Sequence, residues 1–191
     1  EETVLWNWYD KWRTGFAVTD EITQMLKSKK VKSAKLMGEL YAVSRAGLML
    51  PLTGGEITED GSKESTMSFL KKPETLERQE RMRLAVFDIL ELNGKDLRDV
   101  PYDERIAIAA GLVGGGKAVR AIPMATGTGL SPLQKIWGEG MLEPEFEGLV
   151  LRFKEPSAAQ PSKKHRSYKV KGAATADLAV IGFYRGGLPR E

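Results

Sequence analysis

The chain has 191 residues, 41% of them apolar, a mean hydropathy of -0.32, a formal charge of +3 and a pI near 9.0. That length and balance predict a soluble globular protein of one ordinary domain, with or without a small appendage, able to bury a real core. They also exclude classes: no apolar run approaches the roughly 18 residues of a membrane span, the lack of cysteine rules out disulfides and thiolate metal sites, and the single histidine, His165, rules out a multi-histidine site.

The start, Glu1-Glu2-Thr3, carries no signal-type segment, and the expected location is intracellular, which for a prokaryotic source means cytoplasm or nucleoid. The basic pI leans towards polyanions. Lys163, Lys164, His165, Arg166, Lys169 and Lys171 lie close together without an acid, whereas Glu139 to Glu147 is acid-rich. The run Lys163–Arg166 is either a solvated loop after Pro161 or a polyanion contact.

In chain order, Val4-Leu5-Trp6-Asn7-Trp8-Tyr9 reads as a strand broken at Asp10–Gly15. Thr19 or Asp20 can cap a helix with Ile22, Met25 and Leu26 at helical spacing, ending in the lysines of Lys27–Lys32, which suit the helix dipole. Ala34–Val43 reads as a strand with Glu39 inside an apolar run. Such a carboxylate either faces outward or needs a partner, ligand or metal. Ser44–Gly47 makes a turn into a short strand, Leu48–Leu52, and Thr53–Glu64 reads as a mobile loop. A helix is expected from Pro73 to Met82. Arg83–Leu92 is the most apolar strand, holds Asp88 at its middle and closes on Asn93-Gly94, a hairpin-turn signal.

Beyond Pro101 a helix is predicted over Tyr102–Leu112. Gly111–Lys117 satisfies the G-x-x-x-x-G-K part of a phosphate loop, but a helix precedes it, the strand Ala118–Pro123 follows, and Ala118 stands where a hydroxyl residue belongs. It is read as a helix stop and linker. Ser131-Pro132 starts a helix over Leu133–Gly138, with serine as cap. Glu147-Gly148-Leu149-Val150-Leu151-Arg152 and Ser167-Tyr168-Lys169-Val170-Lys171 then form two strands, the second placing Lys169 and Lys171 on one side. Asp177–Tyr184 is the last strand. Strands with isolated charges and short amphipathic helices make the class α+β with largely antiparallel sheets.

Four strings in order, Leu36-Met37-Gly38-Glu39-Leu40, Val86-Phe87-Asp88-Ile89-Leu90, Glu147–Arg152 and Tyr168-Lys169-Val170-Lys171, resemble the later motifs of covalent nucleotidyltransferases, specifically ATP-dependent DNA ligases. Leu92–Leu97, with Pro101 and Arg105, and Asp177–Gly182 resemble them too. The resemblance implies an ATP-grasp-like nucleotidyltransferase domain of two antiparallel β-sheets flanked by helices. A partial adenylation domain would fill residues 1–187, and 188–191 would begin a linker to an oligonucleotide-binding-fold domain. It implies ATP and Mg2+ as cofactors and nicked double-stranded DNA as partner, in repair, replication or recombination, with no membrane role. Carried to matching positions, Glu39 lies near the ribose, Phe87 against the adenine, Glu147 near the metal, Lys169 and Lys171 on the phosphates, and Arg152 among the nucleotide-binding residues.

The departures are specific. No Lys-x-Asp-Gly string, which carries the family's nucleophile, occurs in these residues, so no catalytic nucleophile is assigned, and a separate chain or segment would have to supply it. The family's Asp-Gly-Glu appears as Met37-Gly38-Glu39, and Arg152 stands where lysine is more usual. A degenerate, non-catalytic nucleotide- or nucleic-acid-binding or partner-docking domain is the alternative. An RNA ligase or capping-type transferase would share the chemistry.

Overall fold

A computed structural model of the chain describes residues 2–7, 10–50, 56–57, 61, 63–71, 76–127, 129–140, 148–152 and 167–171. Its centre is β6, Met82–Leu92, whose residues alternate between buried and half-buried up to Phe87. The alternation follows from strand geometry: Met82, Leu84 and Val86 go to one face and into the core, Arg83, Ala85 and Phe87 to the other. Antiparallel β3, Ala34–Ala42, flanks it on one side, and β7, Lys95–Asp96, returns beside its end. The expected Asn93-Gly94 turn is present, with φ of 51° and 80°, the pair of positive values that a two-residue hairpin turn demands. The Asn93 amide oxygen also accepts from the backbone N–H of Lys32 at 2.7 Å, tying the turn to the entry of β3.

Helix α4, Tyr102–Val113, packs on β6 through Ile106, Ala109 and Val113, all essentially inaccessible. Helix α1, Ala17–Ser28, lies against α4 and β6 and adds Val18 and Ile22 to the same core. After α4 the chain returns as β8, Val119–Ala121, parallel to β6, a departure from the antiparallel expectation. The glycines that end α4 allow this reversal: Gly115 takes φ of 82°, and Leu84 N–H then donates to the Ala118 carbonyl at 2.8 Å.

The phosphate-loop look-alike belongs to this reversal. The Glu21 carboxylate of α1 accepts from Lys117 N–H at 2.5 Å and Ala118 N–H at 2.7 Å, so an internal anion holds those donors. The segment is the linker that its flanking elements suggested.

Several local expectations are corrected. Helix α1 starts at Ala17, ahead of Thr19, because Phe16, only 4% exposed, anchors the entry in the core. Thr19 sits one turn inside, donating its hydroxyl to the Phe16 carbonyl at 2.6 Å. Ser131 likewise lies within α5, Ser131–Gly140, rather than capping it from outside. A helix not expected from sequence, α2 (Thr66–Lys71), is set up by reciprocal bonds between Ser65 and Ser68, each hydroxyl accepting from the other's backbone N–H. Of the helix expected from Pro73, α3 covers Leu76–Glu80, and Met82 already belongs to β6; Pro73 is outside the described residues.

Between β3 and α2, β4 (Glu56–Ile57) pairs antiparallel with β5 (Lys63–Glu64), so part of the expected loop is a ladder. Glu64 is fastened to Arg81, whose Nε–H also donates to the Val43 carbonyl at 2.9 Å. At the N-terminus, β1 (Leu5–Trp6) and β2 (Trp12–Arg13) form a hairpin with two exposed, stacked indoles. The last strand pair, β9 (Leu149–Arg152) and β10 (Ser167–Val170), is antiparallel. The expected strand Asp177–Tyr184 and the basic run Lys163–Arg166 lie outside the described residues. The architecture is mixed α and β, with antiparallel and mixed sheets flanked by helices.

Candidate functional site

Glu39 and Phe87 come from the face of the β3–β6 sheet opposite the core. Glu39 is exposed and pairs with Ala85, two residues before Phe87. At Gly38, directly before Glu39, β3 runs too close to β6 for a side chain, since a Cβ there would sit 2.9 Å from the Ala85 carbonyl oxygen. Phe87 itself is an extra residue. Met37 is opposite Asp88 and Gly38 is opposite Val86, so the register jumps over Phe87 and leaves it in a β-bulge. A bulge re-aims a side chain and frees a carbonyl from the ladder. Here the Tyr102 hydroxyl, from the first residue of α4, donates to the Phe87 carbonyl at 2.7 Å. Burial pushes the Tyr102 hydroxyl above its ordinary pKa, which keeps it protonated and able to donate.

Asp88, the residue after Phe87, is 3% exposed. Arg105, 2% exposed, meets it with two bonds, Nε–H to Oδ1 at 2.7 Å and Nη2–H to Oδ2 at 3.0 Å. A third donor of Arg105 reaches the Val100 carbonyl at 2.6 Å. This is the bidentate, fully hydrogen-bonded form in which a buried ion pair is tolerated.

The β9–β10 pair has two chemically distinct faces. Cross-strand partners share a face, and the register sets Leu151 opposite Tyr168, Leu149 opposite Val170, Val150 opposite Lys169 and Arg152 opposite Ser167. Leu149, Leu151 and Val170 turn to Leu133 and Trp137 of α5, lining an apolar cavity of about 290 Å³. The other face carries Arg152 and Lys169, with Lys171 following at the same parity. Gly148 precedes the strand at φ of 138°, and a Cβ there would lie 2.2 Å from the Val170 carbonyl oxygen, so only glycine permits this pairing.

Arg152 joins the two parts. Its guanidinium lies 4.4 Å over the Tyr102 ring and 5.8 Å from the Phe87 ring centroid, with Nη1 3.7 Å from Asp88 Oδ2. Since Asp88 is already bonded twice to Arg105, one carboxylate serves two guanidiniums and a positive charge remains on the site side. With Lys169 and Lys171, both exposed, this makes an anion-attracting wall beside an aromatic ring.

The structure therefore brings Phe87 and Arg152 together, and sets Glu39 on Phe87's face and Lys169 on Arg152's. Glu147 is outside the described residues, and among the described residues no three carboxylates or imidazoles converge to hold a metal. The donor set suits a nucleotide: a half-buried ring for a base and cations for phosphates. Sequence reasoning did not assign Tyr102, Asp88 and Arg105 to the site. The signal was one carboxylate in the most apolar strand and one arginine among the apolar residues of α4, a pair that geometry alone matches.

A family model described as an ATP dependent DNA ligase domain matches residues 13–171 of the chain. A DNA ligase of Cenarchaeum symbiosum (strain A) is 30% identical over 106 residues, which are 52% of this chain and 18% of that protein. The chain thus matches under a fifth of that relative's length.

Proposed function

The chain belongs to the family of ATP-dependent DNA ligase domains, and from that premise we propose that it forms the nucleotide-holding wall of an adenylation domain serving nick sealing in double-stranded DNA. The observation that carries this reading is Arg152, which sits beside the Phe87 ring while belonging to the basic face of β9–β10. ATP would rest its adenine on Phe87, direct its ribose to Glu39, and place its phosphates towards Arg152, Lys169 and Lys171. Glu147 would hold Mg2+, whose charge would offset that of the phosphates.

In the reaction, a lysine nitrogen attacks the α-phosphorus of ATP, forming a phosphorus–nitrogen bond as pyrophosphate leaves. AMP then moves to the 5′-phosphate of a nick, and the 3′-hydroxyl displaces it to make the phosphodiester. In that sequence the residues of this chain bind the base and concentrate positive charge where the phosphates gather charge. The nucleophile would come from a Lys-x-Asp-Gly segment, which these 191 residues do not contain.

Two measurements test the reading. Titration calorimetry with ATP should give binding at one site per chain, and labelled ATP with magnesium should leave the denatured polypeptide unlabelled. A covalent label on one of its lysines would overturn the assignment of the nucleophile, and absence of ATP binding would overturn the site.

Met37, where the family has an acid, favours the second reading, a non-catalytic nucleotide- or nucleic-acid-binding domain of the same fold. Fusing a Lys-x-Asp-Gly-bearing segment ahead of residue 1 separates the two. Covalent labelling and sealing of nicked DNA support the enzyme; ATP binding without either supports the binding domain.

A further inference from the structure

We propose that Tyr102 is a positioning residue that aligns the base-facing and phosphate-facing sides of the site, an inference that rests on the nucleotide reading above. Two independent contacts meet on this one side chain. Its hydroxyl takes the Phe87 carbonyl at 2.7 Å, at the point where the β3–β6 register skips Phe87. Its ring carries the Arg152 guanidinium at 4.4 Å, and the buried Arg105 guanidinium lies 5.5 Å from the same centroid.

Each contact has its own consequence. A bulged residue has lost part of its ladder, so its orientation depends on whatever replaces the missing bond. The Tyr102 hydroxyl is that replacement, and it aims the Phe87 ring. A long arginine stem is mobile unless its flat head is held. The Tyr102 face and Asp88 Oδ2, 3.7 Å from Arg152 Nη1, hold it next to Phe87 with donors to spare for an anion. Tyr102 is well placed for this work because it opens α4 directly after Pro101, while Arg105, one turn on, is locked to Asp88. The residue touches neither base nor phosphate; it acts through Phe87 and Arg152.

The test compares ATP with adenosine, which lacks phosphates, by titration calorimetry on the whole chain. Y102F keeps the ring and loses the hydroxyl, and should weaken both ligands by one common factor of about three, the worth of a modest hydrogen bond. Y102L also loses the ring. It should weaken ATP by about tenfold more than it weakens adenosine, with no further loss when combined with R152A. Equal losses of ATP and adenosine in Y102L would mean that Tyr102 only supports the scaffold, and independent effects of Y102L and R152A would mean that the ring does not act through Arg152. Either result overturns the inference while leaving the nucleotide site standing. Circular dichroism checks folding. Should Y102L be unfolded, R152K carries the test: lysine keeps the charge without the flat head, so a loss confined to ATP supports the stacking role and unchanged ATP affinity refutes it. If the unaltered chain binds neither ligand, the nucleotide reading fails and the inference falls with it.

Discussion

The sheet around β6 and the β9–β10 pair are built on opposite principles. In the first, Val86, Ile89, Ile106, Ala109, Val113 and Val119 are fully or almost fully enclosed between strand and helix. In the second, all four residues of β10 are exposed, and Arg152 makes a polar link back to the sheet through Asp88. The contrast teaches where the chain keeps stability and where it keeps chemistry. A large apolar core makes β6 rigid enough to hold a bulge in one conformation, whereas cations meant for phosphate must stay near water until the ligand arrives.

The largest expected effect lies where the two regions share a residue. R105A removes both short guanidinium bonds to the buried Asp88 carboxylate and leaves it the 3.7 Å contact with Arg152 as its charge partner, and should cost about 3–5 kcal/mol, read as a lower urea midpoint or an unfolded chain; a midpoint within error of the parent would mean the pair is not load-sharing in the core. G148A comes next. The clash with the Val170 carbonyl should part β9 from β10 and weaken ATP binding strongly, with thermal unfolding of the β6 core little changed, because the damage is confined to the exposed pair. A matching fall in both would erase the distinction between the regions. R152A should weaken ATP by roughly tenfold, as expected for one charge-assisted contact, again with little effect on unfolding.

Acid stability gives a smaller effect. The hydrogen bonds from Arg81 hold the Glu64 carboxyl below its ordinary value. A depressed folded-state pKa stabilises above the unfolded value of 4.5 and is lost as pH falls through the lower folded one. E64Q should therefore flatten the acid limb of a stability-versus-pH curve below about pH 4.5; an unaltered limb would remove Glu64 from the account. Smallest is D96N. Arg98 holds Asp96 down to about 2, but both groups stand in solvent. Such a pair adds little, so unfolding near neutral pH should not shift measurably.

Much of the rigid region was legible from residues alone, for local reasons. The apolar run of β6 and the Asn93-Gly94 turn state their conformation within a few positions, as do the apolar spacing of α1 and the glycine stop of α4. Hydroxyl residues misled where burial outweighed capping: Phe16 and not Thr19 sets the start of α1. The parallel pairing of β8 was hidden because it joins segments some 35 positions apart, a choice of tertiary packing. The bulge at Phe87 was hidden for the same reason, since two strands must be compared before an extra residue shows. The candidate site was legible as residue types through resemblance. The way Arg152 reaches Phe87, by way of Tyr102 and Asp88, needed coordinates.

Glu21 gives the loop at Gly116–Ala118 a resident ligand. Tethered through α1, that carboxylate competes as an intramolecular binder, at an effective concentration of order millimolar or above, without leaving the protein. A free anion must displace it and also cross the negative charge it brings. Despite its phosphate-loop lettering, this segment is thus self-inhibited, and a chain that takes up ATP should do so with a stoichiometry of one.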